Sequence, residues 1–184
     1  MTTKKRGAPS RRDLILYAAG QVVLSQGAGQ LTLDSVAEEA GVSKGGLLYH
    51  FPTKDALIEE LLDAYLRSFD ARIDAHIDAD TGEPAGRFLR AYVRTSFGEE
   101  LPDPSFSAAA LAAITAKPEL LAHVRAKYAE WQARALADGV PHDTALTVML
   151  ATDGVWCAEL LGIEPLNVEQ RAAMQAALLK LLHG

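Results

Sequence analysis

Apolar residues recur along this chain at intervals of three and four, the spacing that places them on one face of an α-helix. Strand signals, which are runs of β-branched residues with alternating polarity, do not occur in the sequence. The first periodic stretch carries an apolar stripe of Leu14, Ile15, Ala18, Ala19, Val22 and Val23. The pattern predicts an all-α protein of about nine helices, at about 11–26, 33–40, 44–50, 54–79, 85–100, 105–116, 118–138, 142–161 and 168–182.

Glycine, proline and capping residues mark the predicted ends of these helices. Gly27 and Gly29 follow the first one, and the proline after Phe51 disfavours helical backbone at that residue. Thr53 is a predicted N-cap for the long helix at 54–79, because its hydroxyl can accept a hydrogen bond from a first-turn amide.

Residues 32–54 predict a helix-turn-helix, two short helices joined by a tight turn. Ala37 supplies the small side chain needed where the helices cross, and Gly41 tolerates the left-handed backbone needed at the corner. Ser43 can cap the second helix. The apolar anchors that would lock the two helices together are Val36, Val42, Leu47 and Phe51.

The outward face of the second short helix carries residue types that contact phosphates and base edges. Its members are Ser43, Lys44, Gly45, Gly46, Tyr49 and His50. A plain helical hairpin inside an α-helical bundle is the alternative. The exposed tyrosine and histidine beside a lysine and two glycines, with basic residues before the first helix, favour binding to DNA.

Charge is unevenly distributed along the chain. Residues 1–52 hold six basic and four acidic groups, whereas the rest of the sequence holds 12 basic and 20 acidic groups, for a total of −6. A basic end can bind a polyanion even in a net acidic protein, because salt limits the reach of each charge to about 8–10 Å. A solvated tail explains the same charges equally well.

Composition excludes several classes of protein. The chain has 184 residues, of which 49% are hydrophobic and 23% are charged, as is typical of a globular protein. It lacks an apolar run of about 18 residues that could span a membrane, and no apolar segment follows its basic N-terminus. Its single cysteine, Cys157, rules out an internal disulfide. We therefore expect a cytoplasmic protein that does not associate with a membrane.

The segment from about Ser10 to Tyr65 resembles the TetR family of bacterial transcription regulators. The resemblance rests on Leu31-Thr32-Leu33-Asp34-Ser35-Val36-Ala37 and on the run from Ala40 to Leu57, which includes Ser43-Lys44-Gly45-Gly46 and Tyr49-His50-Phe51-Pro52-Thr53-Lys54. It implies an N-terminal three-helix DNA-binding domain, which we place at residues 1–52. It also implies a helical C-terminal domain, at residues 53–184, that dimerises and binds a small molecule.

The resemblance also assigns roles to individual residues. It makes Thr32, Tyr49 and Lys54 phosphate contacts, and it places residues 43–46 where the second helix of the motif meets the major groove. One position departs from the family pattern, since many members carry tyrosine where this chain has Leu48. The glycine pair offers no side chains for reading bases, so we expect specificity to rely on the flanking polar side chains or on DNA shape.

Two further sets of candidate residues lie in the C-terminal part. Aromatic residues in an alanine-rich region can line a cavity for an apolar ligand, and the candidates are Phe88, Tyr92, Phe106 and Trp131. The last two predicted helices carry apolar residues on more than one face, which favours a subunit interface over complete burial in their own domain. The interface candidates are Met149, Trp156, Leu160, Met174, Leu178 and Leu181. Cys157 is expected to pack in the interior.

No spacing typical of a catalytic triad, a metal site or a phosphate-binding loop stands out, so we expect no catalytic residues, metal or cofactor. The sequence predicts a homodimeric repressor that binds a palindromic operator in double-stranded DNA and responds to an unidentified small-molecule effector. Two alternatives stay open. One is a helical small-molecule-binding or catalytic protein with an incidental hairpin, and the other is an architectural DNA binder without an effector.

Overall fold

The computed structural model describes residues 10–27, 30–98, 118–161, 163 and 166–182, without the side chains of Pro118, Leu160 and Leu161. These residues form eight α-helices and no strand, which confirms the all-α prediction. The predicted helix at 105–116 lies outside the described residues. The helices are α1 (Arg11–Gln26), α2 (Leu33–Glu39), α3 (Lys44–His50), α4 (Lys54–Ala79), α5 (Arg87–Phe97), α6 (Leu121–Leu136), α7 (His142–Leu161) and α8 (Val168–Leu181), with a 3-10 turn, Pro118–Leu120, before α6.

The helix predicted at 85–100 is shorter in the structure, where it forms α5. Its first residue follows Gly86, which adopts left-handed backbone (φ 74°) that helical residues with a side chain rarely share. Gly98 is extended and ends the helix. Helix α5 is therefore bounded by a left-handed residue at Gly86 and an extended residue at Gly98.

The described chain forms two compact units, divided within α4 after Tyr65. The first unit contains α1–α3 and the start of α4, and the second contains the rest of α4 together with α5–α8. Sequence analysis placed the domain boundary at residue 52, just before α4, whereas the two units divide after Tyr65, within α4. Pro52 is a strong local signal for the end of a helix. The first turns of α4 belong to the first unit because of tertiary packing, which a local sequence signal does not contain.

Local hydrogen bonds define the helix starts of the first unit. Ser10 and Asp13 form a capping box at α1, and Thr32 forms another with the serine one turn later at α2. Thr53 Oγ1 accepts a hydrogen bond from the amide of Ala56 (3.0 Å), as predicted for the start of α4. The core of the unit includes side chains that are at most 1% exposed, namely Ile15, Val22, Val36, Leu47, Phe51, Leu57 and Leu61.

Helix α5 is the most enclosed helix of the second unit, with nine of its eleven residues buried. Asp138, from the turn after α6, accepts hydrogen bonds from the amides of Phe88 (3.0 Å) and Leu89 (2.9 Å). A side chain from a distant part of the chain thus caps α5, because the helix supplies no side-chain cap of its own.

Two arginines bind other parts of this unit together. Arg90 is 2% exposed, and its guanidinium pairs with Asp80 (2.8 Å) and donates to the carbonyl oxygen of Ala85 (2.7 Å). Arg171 of α8 pairs with Glu159 of α7 (2.7 Å) and donates to two carbonyl oxygens at the end of α5. Helices α5, α7 and α8 are therefore connected by charge-assisted hydrogen bonds as well as by apolar packing.

Candidate DNA-binding and effector sites

The predicted helix-turn-helix is present as α2, a turn and α3. Gly41 adopts the left-handed backbone expected at the corner (φ 64°), and Ala37 is buried beside it. Three of the four predicted anchors are buried, namely Val36, Leu47 and Phe51, and the fourth, Val42, is half-buried. The turn chemistry and the apolar contacts together fix how α3 is presented to its surroundings.

The outward face of α3 exposes most of the predicted DNA-contacting residues. Tyr49 is 85% exposed, with its ring edge against His50 (5.2 Å between ring centroids). Ser43 caps the helix, and its Oγ accepts a hydrogen bond from the amide of Gly46 (3.1 Å). A Cβ added at Gly45 would enter open space, whereas one at Gly46 would lie 3.2 Å from Ser43 Oγ. Gly45 thus leaves the surface of α3 open to close approach, and Gly46 makes room for the cap.

Two of the residues that the resemblance makes phosphate contacts lie at helix starts. Thr32 is exposed as the N-cap of α2, where its Oγ1 accepts a hydrogen bond from the amide of Ser35 (3.0 Å). Lys54 is exposed at the first residue of α4, where the positive end of the helix dipole adds to its charge. Leu48, where many family members carry tyrosine, is 37% exposed. The contacts of these residues with DNA remain predictions.

The lysine on the outward face of α3 is paired. Lys44 Nζ lies 2.8 Å from one carboxylate oxygen of Asp34 on α2 and 3.0 Å from the other. Both side chains are exposed, by 59% and 69% respectively. Sequence analysis missed this pair. The available signal was two opposite charges on the two helices of one hairpin.

Three of the four predicted effector-binding residues meet in one aromatic cluster of the second unit. Phe88, Tyr92 and Trp131 are buried together with Phe69 of α4, which sequence analysis missed. Phe69 has its ring centroid 5.0 Å from that of Trp131 and 5.5 Å from that of Tyr92. Phe106, the fourth candidate, lies outside the described residues. Nothing in its helical spacing distinguished Phe69 from an ordinary core position.

A carboxylate lies next to this cluster. Asp153 of α7 accepts hydrogen bonds from the hydroxyls of Tyr92 (2.6 Å) and Tyr128, one on each oxygen. Its pKa is raised because burial disfavours the charged form, although both tyrosine hydroxyls act against that rise. Within the described part of the chain no lysine or arginine contributes to that balance.

Two other polar groups belong to the surroundings of the cluster. Trp131 Nε1 donates a hydrogen bond to Asp70 (2.7 Å), which satisfies the buried indole. Thr95 is 2% exposed. It follows Tyr92 by three residues in α5, so the two side chains lie on the same face of the helix. The hydroxyl of Thr95 finds no hydrogen-bond partner among the described residues. The second unit therefore combines aromatic surface with a carboxylate and a buried hydroxyl.

The predicted interface residues do not share one environment. Met149 and Leu178 are 1% and 3% exposed, so they fill the core of their own chain and offer no surface to a partner. This corrects their assignment to the interface. Trp156 and Met174 are half-buried, and Leu181 is 52% exposed. The side chain of Leu160 lies outside the described residues.

Two exposed stripes follow the last two helices instead. On α7 the stripe consists of Leu150, which is 62% exposed, Gly154 and Cys157, and on α8 it consists of Ala173, Ala177 and Leu181. Spacings of three and four residues place each set on one helix face. The stripes are apolar or small-residue surface and contain no charged side chain.

Cys157 is exposed, so the expectation that it packs in the interior is wrong for this chain on its own. The pKa of its thiol is raised, first by partial burial of the sulfur and then by the negative charge of Asp153. A raised pKa favours the protonated thiol over the reactive thiolate. This environment is the opposite of the one that activates a cysteine.

The described ranges contain neither a candidate membrane span nor a candidate metal site. No helix in them has both the length and the apolar character needed to cross a membrane. No three His, Cys, Asp or Glu side chains in them are grouped so that they could hold a metal ion.

Comparison with known proteins finds matches to both units. The family model described as bacterial regulatory proteins, tetR family, matches residues 15–61, and the one described as tetracyclin repressor-like, C-terminal domain, matches residues 86–183. The HTH-type transcriptional regulator TtgR of Pseudomonas putida is 33% identical over 82 residues, which are 45% of this chain and 39% of that protein. The chain thus spans less than half the length of this curated relative.

Two solved structures share the fold over nearly the whole chain. One is a TetR family member from Streptomyces coelicolor, which is 26% identical with a TM-score of 0.67 and covers 95% of this chain and 99% of its own. The other is the multidrug binding protein EbrR complexed with malachite green, which is 26% identical with a TM-score of 0.64 and the same coverage. EbrR is also known in complex with ethidium.

Proposed function

This chain belongs to the TetR family of bacterial regulatory proteins, and from that membership we propose that it is a homodimeric transcriptional repressor released from a palindromic operator by a small-molecule effector. The observation that carries the proposal is the outward face of α3, where Tyr49 is 85% exposed beside an open glycine and a paired lysine. The relatives named above are regulators and binding proteins, so we propose no catalytic role.

In this proposal the first unit divides DNA binding between positioning and readout. Tyr49 and Lys54, with Thr32, contact phosphates, which fixes the register of the protein on the duplex. Residues 43–46 approach the base edges, and the glycines let the backbone come close to the groove. A dimer presents two copies of α3 to half-sites about 34–36 Å apart, so a small change in their separation breaks the match.

Binding to DNA can be tested by fluorescence anisotropy with duplexes taken from the region upstream of the gene for this chain, in excess nonspecific competitor. Retention on one duplex supports a regulator. Salt-sensitive binding to every duplex supports the architectural alternative instead, because phosphate contacts alone are independent of sequence. Absence of binding supports a helical ligand-binding or catalytic protein.

The division of roles is tested by two variants. Lys54→Ala should weaken binding to operator and scrambled duplexes alike and lower the salt slope by about one. Gly45→Ala should weaken the operator complex more, since its methyl group enters open space in the free protein but would meet DNA in a closely docked complex. An unchanged salt slope for the first variant, or an equal loss on both duplexes for the second, contradicts this division.

The proposed dimer forms through the exposed stripes of α7 and α8. Packing these stripes against a second copy would form a four-helix bundle, in which small residues such as Gly154 and Ala177 allow close approach of the helices. A stable interface of this kind should bury at least about 1,000 Å².

Leu150→Glu tests the interface without disturbing the core, because the leucine is 62% exposed in the single chain. We expect a monomer in sedimentation experiments and loss of operator binding. Val168→Glu is the matched control, since Val168 is 88% exposed but lies on the far side of α8 from Ala173. A Leu150→Glu variant that stays dimeric would show that the stripes are not the interface.

The proposed effector binds beside the aromatic cluster and carries a positive charge or an N–H group. Asp153 supports this class, because burial disfavours its charged form and its two described partners are uncharged tyrosine hydroxyls, so a cationic ligand would compensate the carboxylate further. EbrR, whose complexes contain the aromatic cations malachite green and ethidium, supports the same class. An effector releases DNA only if it binds the DNA-incompetent arrangement more tightly.

Malachite green is a direct probe of this site. We expect the dye to bind the free protein and to release the operator, after correction for dye bound to DNA alone. Asp153→Asn should weaken dye binding about tenfold, as expected when a charge-assisted contact is lost. Asp143→Asn, which removes an exposed carboxylate from the first turn of the same helix, is the control. Equal dye affinity for both variants would contradict the role of Asp153.

A further inference from the structure

We infer that Asp34 is a specificity-determining residue, which positions Lys44 for base readout and withholds it from nonspecific phosphate contacts. The inference rests on the proposed function, since it presupposes that α3 binds DNA. Neither the family resemblance nor the sequence pattern assigned a role to Asp34. It is a positioning residue because it acts through the lysine.

The geometry that supports this role is a two-oxygen contact. Lys44 Nζ lies within 3.0 Å of both carboxylate oxygens of Asp34, so the ammonium has a partner on α2 that contacts it through both oxygens. The two residues come from different helices of the motif. Buried anchors, including Leu47, fix the relative placement of those helices, so the backbone positions of Asp34 and Lys44 are set by the core of the motif.

The contact between Asp34 and Lys44 matters because basic residues are scarce in this part of the sequence. Lys44 is the only lysine or arginine between Leu31 and Thr53, whereas α2 carries three carboxylates. The two glycines after Lys44 contribute no side chains, and the Ser43 hydroxyl is engaged as a cap. The position of one ammonium group therefore decides where this part of the surface carries positive charge.

Specific and nonspecific DNA place different demands on a paired lysine. An ammonium group has three N–H donors, so it can keep its contact with Asp34 and also donate to a base acceptor in the major groove. A phosphate contact is different, because the carboxylate repels the phosphate and the lysine must leave its partner to reach it. Asp34 thus reduces the release of counterions on random DNA while leaving base readout intact.

The test is a salt titration of wild type, Asp34→Asn, Lys44→Ala and the double variant on operator and scrambled duplexes. Asp34→Asn should bind scrambled DNA several-fold more tightly, with a salt slope steeper by about one, because one more cation becomes available to phosphates. The ratio of operator to scrambled affinity should fall about tenfold. In the Lys44→Ala background the same substitution should change neither the slope nor the ratio.

Two controls separate positioning from general electrostatics and from folding. Glu38→Gln removes an exposed carboxylate from the same helix and should affect both duplexes equally. Asp34→Glu keeps the charge and should retain most of the wild-type ratio, and circular dichroism checks that every variant folds.

The inference is overturned if Asp34→Asn tightens both duplexes alike, as Glu38→Gln does, or if its effect persists without Lys44. A wild-type chain that prefers no duplex overturns the proposed function and this inference with it. An unchanged ratio in Asp34→Asn, on a wild type with a clear preference, overturns the inference alone.

Discussion

Helices α1–α3 of the first unit and helix α5 of the second unit are capped by different means. In the first unit α1, α2 and α3 are each capped by a side chain beside the helix itself, namely Ser10, Thr32 and Ser43. In the second unit α5 is capped by Asp138, which is 50 residues from one of its amide donors. Arg171 reaches a carbonyl oxygen at the other end of α5 from 74 residues away.

This difference has energetic consequences. A local cap forms with its own helix, and an exposed one loses little hydration. A buried contact between distant residues forms only when the whole unit has assembled, and removing one partner leaves the other without compensation. We therefore expect the loss of a buried or half-buried polar side chain such as Arg90 or Asp138 to destabilise the second unit more than the loss of an exposed cap destabilises the first.

Arg90→Met should have the largest effect. The side chains of Arg90 and Asp80 are 2% and 6% exposed, so the variant leaves a buried carboxylate and should lose about 3–5 kcal/mol of unfolding free energy. Urea denaturation followed by circular dichroism measures the loss. Arg94→Met is the control, because its side chain is 37% exposed and 3.7 Å from the same carboxylate, and it should lose less than about 1 kcal/mol. Equal losses would remove the contrast between buried and exposed partners.

Asp138→Ala should have the next largest effect. It leaves two amides at the start of α5 without an acceptor, which should cost about 2–3 kcal/mol of unfolding free energy. Asp138→Asn keeps one acceptor oxygen and should lose less. Hydrogen exchange at Phe88 and Leu89 should accelerate in the alanine variant. Unchanged exchange there would mean that the remote cap contributes little.

Ser10→Ala tests the local side of the comparison. Loss of the cap of α1 should cost about 1 kcal/mol of unfolding free energy, the usual effect of removing an N-cap hydroxyl. Ser10→Thr keeps the hydroxyl and should restore most of it. A loss as large as that of Asp138→Ala would show that local and remote caps are equivalent in this protein.

Asp153→Asn should have the smallest effect, and with the opposite sign. Since burial raises the pKa of Asp153, the stability that its protonated form contributes is present below the unfolded pKa and is lost as pH rises through the raised folded pKa. The asparagine variant lacks this loss, so its advantage over wild type should grow as pH rises above the ordinary carboxyl pKa of about 3.9. Melting temperatures measured as pH rises test it, and a constant difference would contradict it.

Much of the first unit could be predicted because its determinants lie within a few residues of each other. The corner at Gly41 and the caps at Ser43 and Thr53 depend on neighbouring backbone alone. The pair between Asp34 and Lys44 could not be predicted in the same way. It requires the relative orientation of two helices, which periodicity along one helix does not contain.

The second unit shows where periodicity stops being informative. The ranges of α7 and α8 were predicted to within a residue. Two of the side chains predicted for the interface, Met149 and Leu178, are nevertheless buried in the core. Because apolar residues cover both faces of these helices, the pattern cannot tell which face meets the chain's own interior. The partners of Asp153 lie 61 and 25 positions away, and only packing brings them together.

The position of Trp131 determines how this protein can be observed. Its indole packs on Phe69 and donates a hydrogen bond to Asp70, inside the aromatic cluster. The only other tryptophan, Trp156, lies on α7 of the same unit. Tryptophan fluorescence excited at the red edge of the indole absorption band therefore comes wholly from the second unit, and α1–α3 contribute none of it. The intrinsic fluorescence of Trp131 can therefore follow changes in the aromatic cluster without an added label.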